Sequence, residues 1–249
     1  MSDTSVERAF AILETFERER RPLSMSELAD TCRIPTSTCH ALVRTLMRRS
    51  YLYQTGRRKD LYPTKRLHDM AATILAHDPV LQRLEPAMQA LRDTTRETVI
   101  LGKRQQDRIV YLEVIEGPQV IRYSARAGDV KPLHSTCIGK ALLGELDEGA
   151  LRALFPKGPL PRVTDATIVS IDALAAEIAG GRAQGCFVTR GENVADVTAL
   201  AVPFAINHET YGLAVAGPTH RMAAHEPAIR AALVATRDAL AAPQPAGTA

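Results

Sequence analysis

Basic side chains are concentrated in one short part of the chain. Residues 33–66 contain nine Lys and Arg side chains and a single acid, Asp60, whereas the whole 249-residue chain has 31 basic and 28 acidic residues and a net charge of +3. Such a cluster in a nearly neutral protein is the charge distribution expected of a surface that binds phosphate groups. An ordinary solvated surface can have the same charge, so the elements that carry the cluster decide between the two.

Hydrophobic spacing predicts three short helices in this part of the chain. Apolar residues recur at helical spacing over 5–19, which predicts an amphipathic first helix. Ser24 and Glu27 form the capping-box pattern at the start of a second helix, because the serine hydroxyl can accept a free amide hydrogen and the glutamate can reach back. Pro35 is favoured at a first helical position and predicts a third helix that extends to about Arg49.

A basic hairpin is predicted after the third helix. The segments 51–54 and 61–63 have the composition of strands, and the turn between them carries three bases. Three helices and a hairpin predict a winged helix-turn-helix over residues 1–66, whose third helix enters the major groove of duplex DNA. The residues expected to face base edges are Ser37, Thr38, His40 and Arg44. The residues expected to contact phosphates or the minor groove are Arg48, Arg57, Arg58 and Lys59.

The rest of the chain predicts a linker and a second domain. Pro79 and Pro86 interrupt a helical stretch, so residues 67–80 are expected to form a linker helix and 81–242 a separate domain. Strands that are segregated from helices favour an α+β sheet domain. The predicted strands are 98–104, 108–117, 119–126, 186–190, 200–206 and 211–216, and predicted helices begin near 135, 147, 171 and 226. Residues 243–249 are expected to be a disordered tail.

One loop in the second domain has residues suited to anion binding. In VKPLHSTCIGKALL, small polar residues lead into a helix at about 136–143. Free amides at a helix start can bind a carboxylate or phosphate, and Gly139 would permit a ligand to approach closely. Alternatively, Ser135 only caps the helix and Gly139 only allows tight packing against the sheet. The spacing taken alone favours this structural role.

The sequence gives less support to a catalytic, metal-binding or redox role than to ligand binding. His134 and Cys137 have the spacing of a partial metal site or a nucleophile pair, but a structural zinc site needs four ligands and no orienting acid stands nearby. We therefore predict no enzyme activity, no metal and no cofactor, while a redox role for Cys137 or Cys186 stays open.

The four dispersed cysteines favour a reducing cytoplasm, and no segment is apolar enough to span a membrane. Scarce aromatic residues, at 4% with no Trp, argue against stacking on single strands.

Four segments in order resemble the IclR family of bacterial transcriptional regulators over essentially the whole chain. They are SVERAFAILETF, PLSMSELADTCRIPTSTCHALVRTL, VKPLHSTCIGKALL and GENVADVTALAVPF…YGLAVAGP. The resemblance implies an N-terminal winged helix-turn-helix, a linker helix and a C-terminal GAF-like α/β domain that binds an effector. It also implies homodimers or tetramers that bind palindromic operators and respond to small organic acids. Whether this chain is a repressor or an activator does not follow from its sequence.

The resemblance also implies where an effector would bind. One wall of the pocket would come from Ser135, Thr136, Cys137 and Gly139. The other wall would come from Thr189, Ala199, Ala214 and Ala216. Relatives that bind small polar acids carry Asp, Cys or Ser at such positions, so we expect an effector with an apolar or aromatic body. Glu192 matches the family's GE element and is expected to make a structural hydrogen bond. The alternative is a C-terminal domain that only oligomerises and binds no small molecule.

Overall fold

A computed structural model describes residues 4–155 and 158–241 of the chain. These residues belong to two units, Met1–Asp78 and Pro79–Ala249. The predicted tail, 243–249, lies outside the described residues. Within the described ranges, no helix is both long and apolar enough to cross a membrane.

The first unit contains the predicted helices and hairpin. Its elements are α1 (Ser5–Glu19), α2 (Met25–Cys32), α3 (Thr36–Arg48), β1 (Leu52–Thr55), β2 (Asp60–Pro63) and α4 (Arg66–Leu75). The capping box predicted at Ser24 is present, and Thr4 forms an equivalent one at the start of α1. Pro35 is the N-cap of α3 rather than its first helical residue. The helix predicted as a linker corresponds to α4, which belongs to this unit.

A small core fixes α3 and the hairpin in this unit. Cys39 and Val43 of α3 pack with side chains from α1, α2 and both strands. Strands β1 and β2 are antiparallel, and Leu23 adds a bridge to the hairpin through two backbone hydrogen bonds with Leu61, of 3.1 and 2.8 Å. The hairpin is therefore attached to the helices by main-chain bonds as well as by apolar packing, an attachment that side-chain periodicity did not predict.

The second unit is built on one antiparallel sheet. Its elements are α5 (Pro79–Thr95), β3 (Thr98–Gln105), β4 (Arg108–Ile115), β5 (Val130–Pro132), α6 (Cys137–Leu143), α7 (Glu148–Ala153), α8 (Ile171–Gln184), β6 (Phe187–Arg190), β7 (Val197–Ile206), β8 (Glu209–Pro218) and α9 (Thr219–Ala241). The six strands lie in the order β5-β4-β3-β8-β7-β6. Together with the N-terminal unit, this arrangement confirms the predicted α+β class.

Helices cover both faces of the sheet and create two cores. Strand β8 shows the alternation, because Leu213 and Val215 face the core formed with α5 and α9. Its neighbours Ala214 and Ala216 face the core formed with α6, α7 and α8. Only small side chains stand on this part of the second face, so α6 can approach the sheet closely.

Two predicted elements differ in the structure. Residues 119–126 are not a strand, and the strand beside β4 is instead the short β5. Val120 and Ile121 are 94% and 73% exposed, so these two residues pack into no core, whereas Tyr123 is buried. Helix α9 begins at Thr219 rather than near 226, because its first turns are held by the buried Met222, and Pro227 lies inside the helix.

Two helical glycines provide a test of this packing. A Cβ atom on Gly139 of α6 would lie 1.9 Å from the Leu133 carbonyl oxygen, whereas one on Gly180 of α8 would meet nothing within 4 Å. We expect Gly139→Ala to lower the free energy of unfolding by about 3 kcal/mol or more, because the backbone must move. Gly180→Ala should instead raise it by about 0.5–1 kcal/mol, because alanine favours a helix. Chemical denaturation measures both, and equal effects of the two substitutions would contradict the close packing of α6.

Candidate functional site

The outer face of α3 carries the polar residues predicted to contact bases. Ser37, His40, Arg44 and Arg48 are exposed, while Thr38 is half-buried. The opposite face holds the helix in the core through Cys39 and Val43, which are 0% and 1% exposed. The helix therefore presents small polar groups near its start and long cations farther along, as a helix in a major groove does.

The tip of the hairpin carries the other predicted phosphate contacts. Arg57, Arg58 and Lys59 are all exposed in the turn between β1 and β2. Gly56 and Lys59 have positive φ angles of 68° and 57°, which tighten this turn. Three cations at the end of a two-stranded projection form a compact positive surface suited to a nucleic-acid backbone.

These cations are not neutralised within their own unit. The ion pairs of the unit involve other bases, such as Arg18 with Glu19 at 3.2 Å and Arg21 with Glu27 at 2.9 Å. Among the residues that the structure describes, no ion pair includes Arg44, Arg48 or the hairpin-tip bases. Their full charge is available to phosphate groups, which favours DNA binding over a self-compensated solvated surface.

The second unit contains a cavity between α6 and the sheet. It is small, with a free volume of about 30 Å³. Its lining residues are Ile100, Tyr111, Tyr123, Thr136, Cys137, Ile138, Thr189, Asn193, Val194, Val197, Ala199 and Ala216. Apolar side chains provide half of this set, and hydroxyls, an amide and a thiol provide the rest. Lys, Arg, Asp, Glu and His are absent from the described lining, so the cavity suits a small molecule with a substantial apolar part.

The sheet register explains why the predicted wall residues meet. Thr189 of β6 pairs with Ala199 of β7, which pairs with Ala216 of β8. The three side chains therefore form one row across three strands, beneath Thr136 and Cys137 at the start of α6. Five of the eight residues predicted for the pocket line the cavity together.

The other three predicted pocket residues lie behind its walls. Ser135 is fully buried, and its hydroxyl donates to the Asn193 Oδ1 atom at 3.4 Å. Gly139 packs against the backbone of Leu133, and Ala214 belongs to the next row of the buried core. The cap of α6 is Thr136, whose Oγ1 accepts from the Gly139 amide at 3.0 Å. The contacts of Gly139 show that it allows tight packing, which is the structural role considered from the sequence.

Two buried tyrosines are cavity residues that the sequence analysis did not identify. Tyr111 and Tyr123 are 4% and 9% exposed, and both line the cavity. Burial raises the pKa of both phenols, so they stay neutral donors. The alternation of buried and less buried residues along β4 could have indicated that Tyr111 faces the interior. Tyr123 lies in the segment mistaken for a strand, where the Thr98 hydroxyl donates to its carbonyl oxygen at 2.5 Å.

The geometry opposes the nucleophile pair considered from the sequence. A helix start can lower the pKa of a thiol, but burial raises the pKa of the Cys137 thiol to about 12. His134 donates its Nε2 hydrogen to the Pro161 carbonyl oxygen at 2.8 Å, and burial lowers its pKa. In the described part of the chain, no group of three His, Cys, Asp or Glu side chains could hold a metal ion.

A buried ion pair lies beside the cavity. Lys140 of α6 is 0% exposed, and its Nζ donates to Glu192 Oε1 at 2.7 Å. Burial raises the pKa of the Glu192 carboxyl, while the hydrogen bond from Lys140 opposes this rise. Glu192 was expected to make a structural hydrogen bond near the pocket, and its partner is a residue that the sequence analysis did not consider.

Comparisons with known proteins identify both units. The model for the C-terminal region of the bacterial transcriptional regulator IclR matches residues 72–242, and the model for the IclR helix-turn-helix domain matches residues 5–56. The chain is 30% identical over 206 residues to the HTH-type transcriptional regulator XynR of Escherichia coli K12, covering 83% of this chain and 81% of XynR.

Solved structures with low identity have the same fold. The IclR of Thermotoga maritima aligns with a TM-score of 0.76 at 21% identity, covering 96% of this chain and 99% of that one. An IclR homolog from Microbacterium hydrocarbonoxydans, complexed with 4-hydroxybenzoate, aligns with a TM-score of 0.72 at 22% identity, covering 95% and 99%. These similar proteins are regulators rather than enzymes, and their fold has both units of this structure. The chain therefore belongs to the IclR family of bacterial transcriptional regulators.

Proposed function

We propose that this regulator controls a catabolic operon in response to a small organic acid with an apolar or aromatic body. The cavity beneath α6 carries this proposal, because its polar groups are neutral and apolar side chains provide half of its lining. Thr189, Asn193 and Tyr123 can donate to a carboxylate, while Ile100 and Val197 can contact a ring or an aliphatic body. The 4-hydroxybenzoate complex of the Microbacterium hydrocarbonoxydans homolog supports an aromatic acid.

We further propose that the chain binds a palindromic operator as a homodimer or tetramer. The exposed face of α3 would contact base edges and the hairpin tip would contact phosphates. A symmetric pair of such domains matches half-sites about one helical turn apart. Effector binding would act by changing the spacing of the two DNA-binding domains, because simultaneous docking tolerates little displacement.

The second candidate function is DNA binding with a C-terminal domain that only oligomerises. The small space around Ala199 and Ala216 would then be a gap in the packing that binds no ligand. Binding of a specific small molecule separates the two, because a ligand that binds only the folded domain must stabilise it.

Mutations in α3 and in the hairpin tip should have different effects on DNA binding. Arg58→Ala should weaken binding to every duplex and lower the slope of log affinity against log salt by about one unit, because one phosphate contact is lost. Arg44→Ala should cost about 1–3 kcal/mol at the preferred operator and relax its sequence preference. Fluorescence anisotropy over a salt series, on operator and scrambled DNA, measures both quantities.

Arg18→Ala is the matched control for these variants, because Arg18 is exposed in the same unit but already paired with Glu19. It should leave the affinity and the salt slope unchanged. A loss of sequence preference in Arg58→Ala, at an unchanged salt slope, would reject the assigned roles.

The cavity predicts which ligands stabilise the protein. Benzoate and 4-hydroxybenzoate should raise the melting temperature, by an amount equivalent to about 2.7 kcal/mol at 100 times the dissociation constant. Glyoxylate and succinate should have no effect. Ala216→Leu should abolish the shift, because the larger side chain fills the cavity, whereas Ala205→Leu on the exposed side of β7 should preserve it. Stabilisation by small oxoacids or dicarboxylates alone would exclude an effector with an apolar body.

A further inference from the structure

The Lys140–Glu192 pair joins two elements that each supply part of the cavity lining. Lys140 stands on α6. The cap and the first two residues of this helix, 136–138, line the cavity. Glu192 stands in the loop before β7, and the next two residues, Asn193 and Val194, line it as well. The short bond between Nζ and Oε1, at 2.7 Å, therefore connects these two parts of the lining.

The surroundings of this pair do not favour a role in stability alone. Lys140 is completely buried and the Glu192 side chain is 9% exposed, so both charges have lost most of their hydration. Glu192 Oε2 is buried with no hydrogen-bond partner among the described residues. Lys140 Nζ has two longer contacts, with the Val188 carbonyl oxygen at 3.4 Å and with Glu177 Oε1 at 3.6 Å. A buried pair often stabilises a fold no more than apolar side chains of similar volume do. Its geometry, however, restricts the two elements to one relative position.

Other contacts hold the same loop from a different direction. The hydroxyl of Thr164 donates to the Gly191 carbonyl oxygen at 2.6 Å, and that of Thr167 donates to the Glu192 carbonyl oxygen at 2.8 Å. Both bonds come from the segment before α8 and act on the loop's backbone. Ser135 reaches Asn193 from the α6 side, but at 3.4 Å. The ion pair is therefore the strong side-chain connection between this loop and α6 among these contacts.

We propose that Lys140 and Glu192 are positioning residues that hold the 191–194 loop against α6 and so keep the cavity closed in its ligand-binding shape. This inference rests on the proposed function, because it assigns the cavity to an effector. The pair contacts no ligand in this scheme. It acts through Asn193, whose amide faces the cavity only while Glu192 is anchored.

The cysteines of the chain provide a test that needs no effector. Cys137 lines the cavity, Cys186 is buried on the opposite face of the sheet, and Cys39 is buried in the N-terminal unit. Alkylation of the full-length protein by N-ethylmaleimide, followed for each cysteine by mass spectrometry, measures three separate opening rates. Opening of the cavity wall exposes Cys137 alone, whereas unfolding of the C-terminal unit exposes Cys137 and Cys186 together.

We expect the double variant Lys140→Met/Glu192→Leu to accelerate alkylation of Cys137 at least tenfold without changing the rate at Cys186. It should fold, because it replaces the pair by apolar side chains, whereas Lys140→Met alone would leave the buried Glu192 without its partner and destabilise the whole domain. Glu226→Gln is the matched control. It weakens the nearby Arg190–Glu226 pair of 2.8 Å, which does not face this cavity, and should leave Cys137 unchanged.

Parallel acceleration of Cys137 and Cys186 in the double variant would show that the pair only stabilises the domain, and would overturn the inference. So would unchanged rates at both cysteines. If alkylation of Cys137 is selectively faster while no acid stabilises the wild type, the positioning role stands and the effector assignment fails. If benzoate stabilises the wild type but the double variant retains wild-type alkylation and affinity, the effector assignment stands and the positioning role fails.

Discussion

The close packing of α6 against the sheet is the constraint on which the C-terminal unit depends. All seven residues of α6 are buried, including the charged Lys140. Gly139 allows the helix to contact the backbone of Leu133, and Ile138 fills the space that Gly102 and Gly212 leave on the strands below. A larger residue at Gly139 would meet the Leu133 backbone and separate the helix from its neighbour, and the cavity wall would move with it.

The same packing determines the chemistry of the cavity. Ala199 and Ala216 lie in one row of the sheet, so the sheet contributes little volume beneath the start of α6. Two buried charges, Lys140 and Glu192, pair with each other behind the lining. The lining is left with neutral donors and apolar surface, which suits a ligand that is mainly apolar with few polar groups.

The DNA-binding unit follows a different principle. Its apolar residues form a small core, and the long cations of α3 and the hairpin tip are exposed and belong to no ion pair among the residues that the structure describes. Arg and Lys side chains of this kind gain most of their binding energy from phosphate groups through counterion release. Beside its cavity the C-terminal unit buries two charges as a pair, whereas the cations of α3 and the hairpin tip are exposed in the N-terminal unit.

Local rules allowed much of this protein to be predicted from its sequence. The capping box at Ser24, the break before Pro79 and the basic turn after α3 depend on neighbouring residues, so the DNA-binding unit and the α+β class followed from composition and spacing. The interruption predicted at Pro86 was wrong, because α5 continues through this residue. The resemblance added the two walls of the cavity, and Thr136, Thr189 and Ala199 do line it. These local rules do not predict contacts between residues that are distant in sequence. The irregular course of 119–126, the burial of Tyr123 and the partner of Glu192 were decided only by the tertiary structure, because side chains distant in sequence determine which segment has a core to pack against.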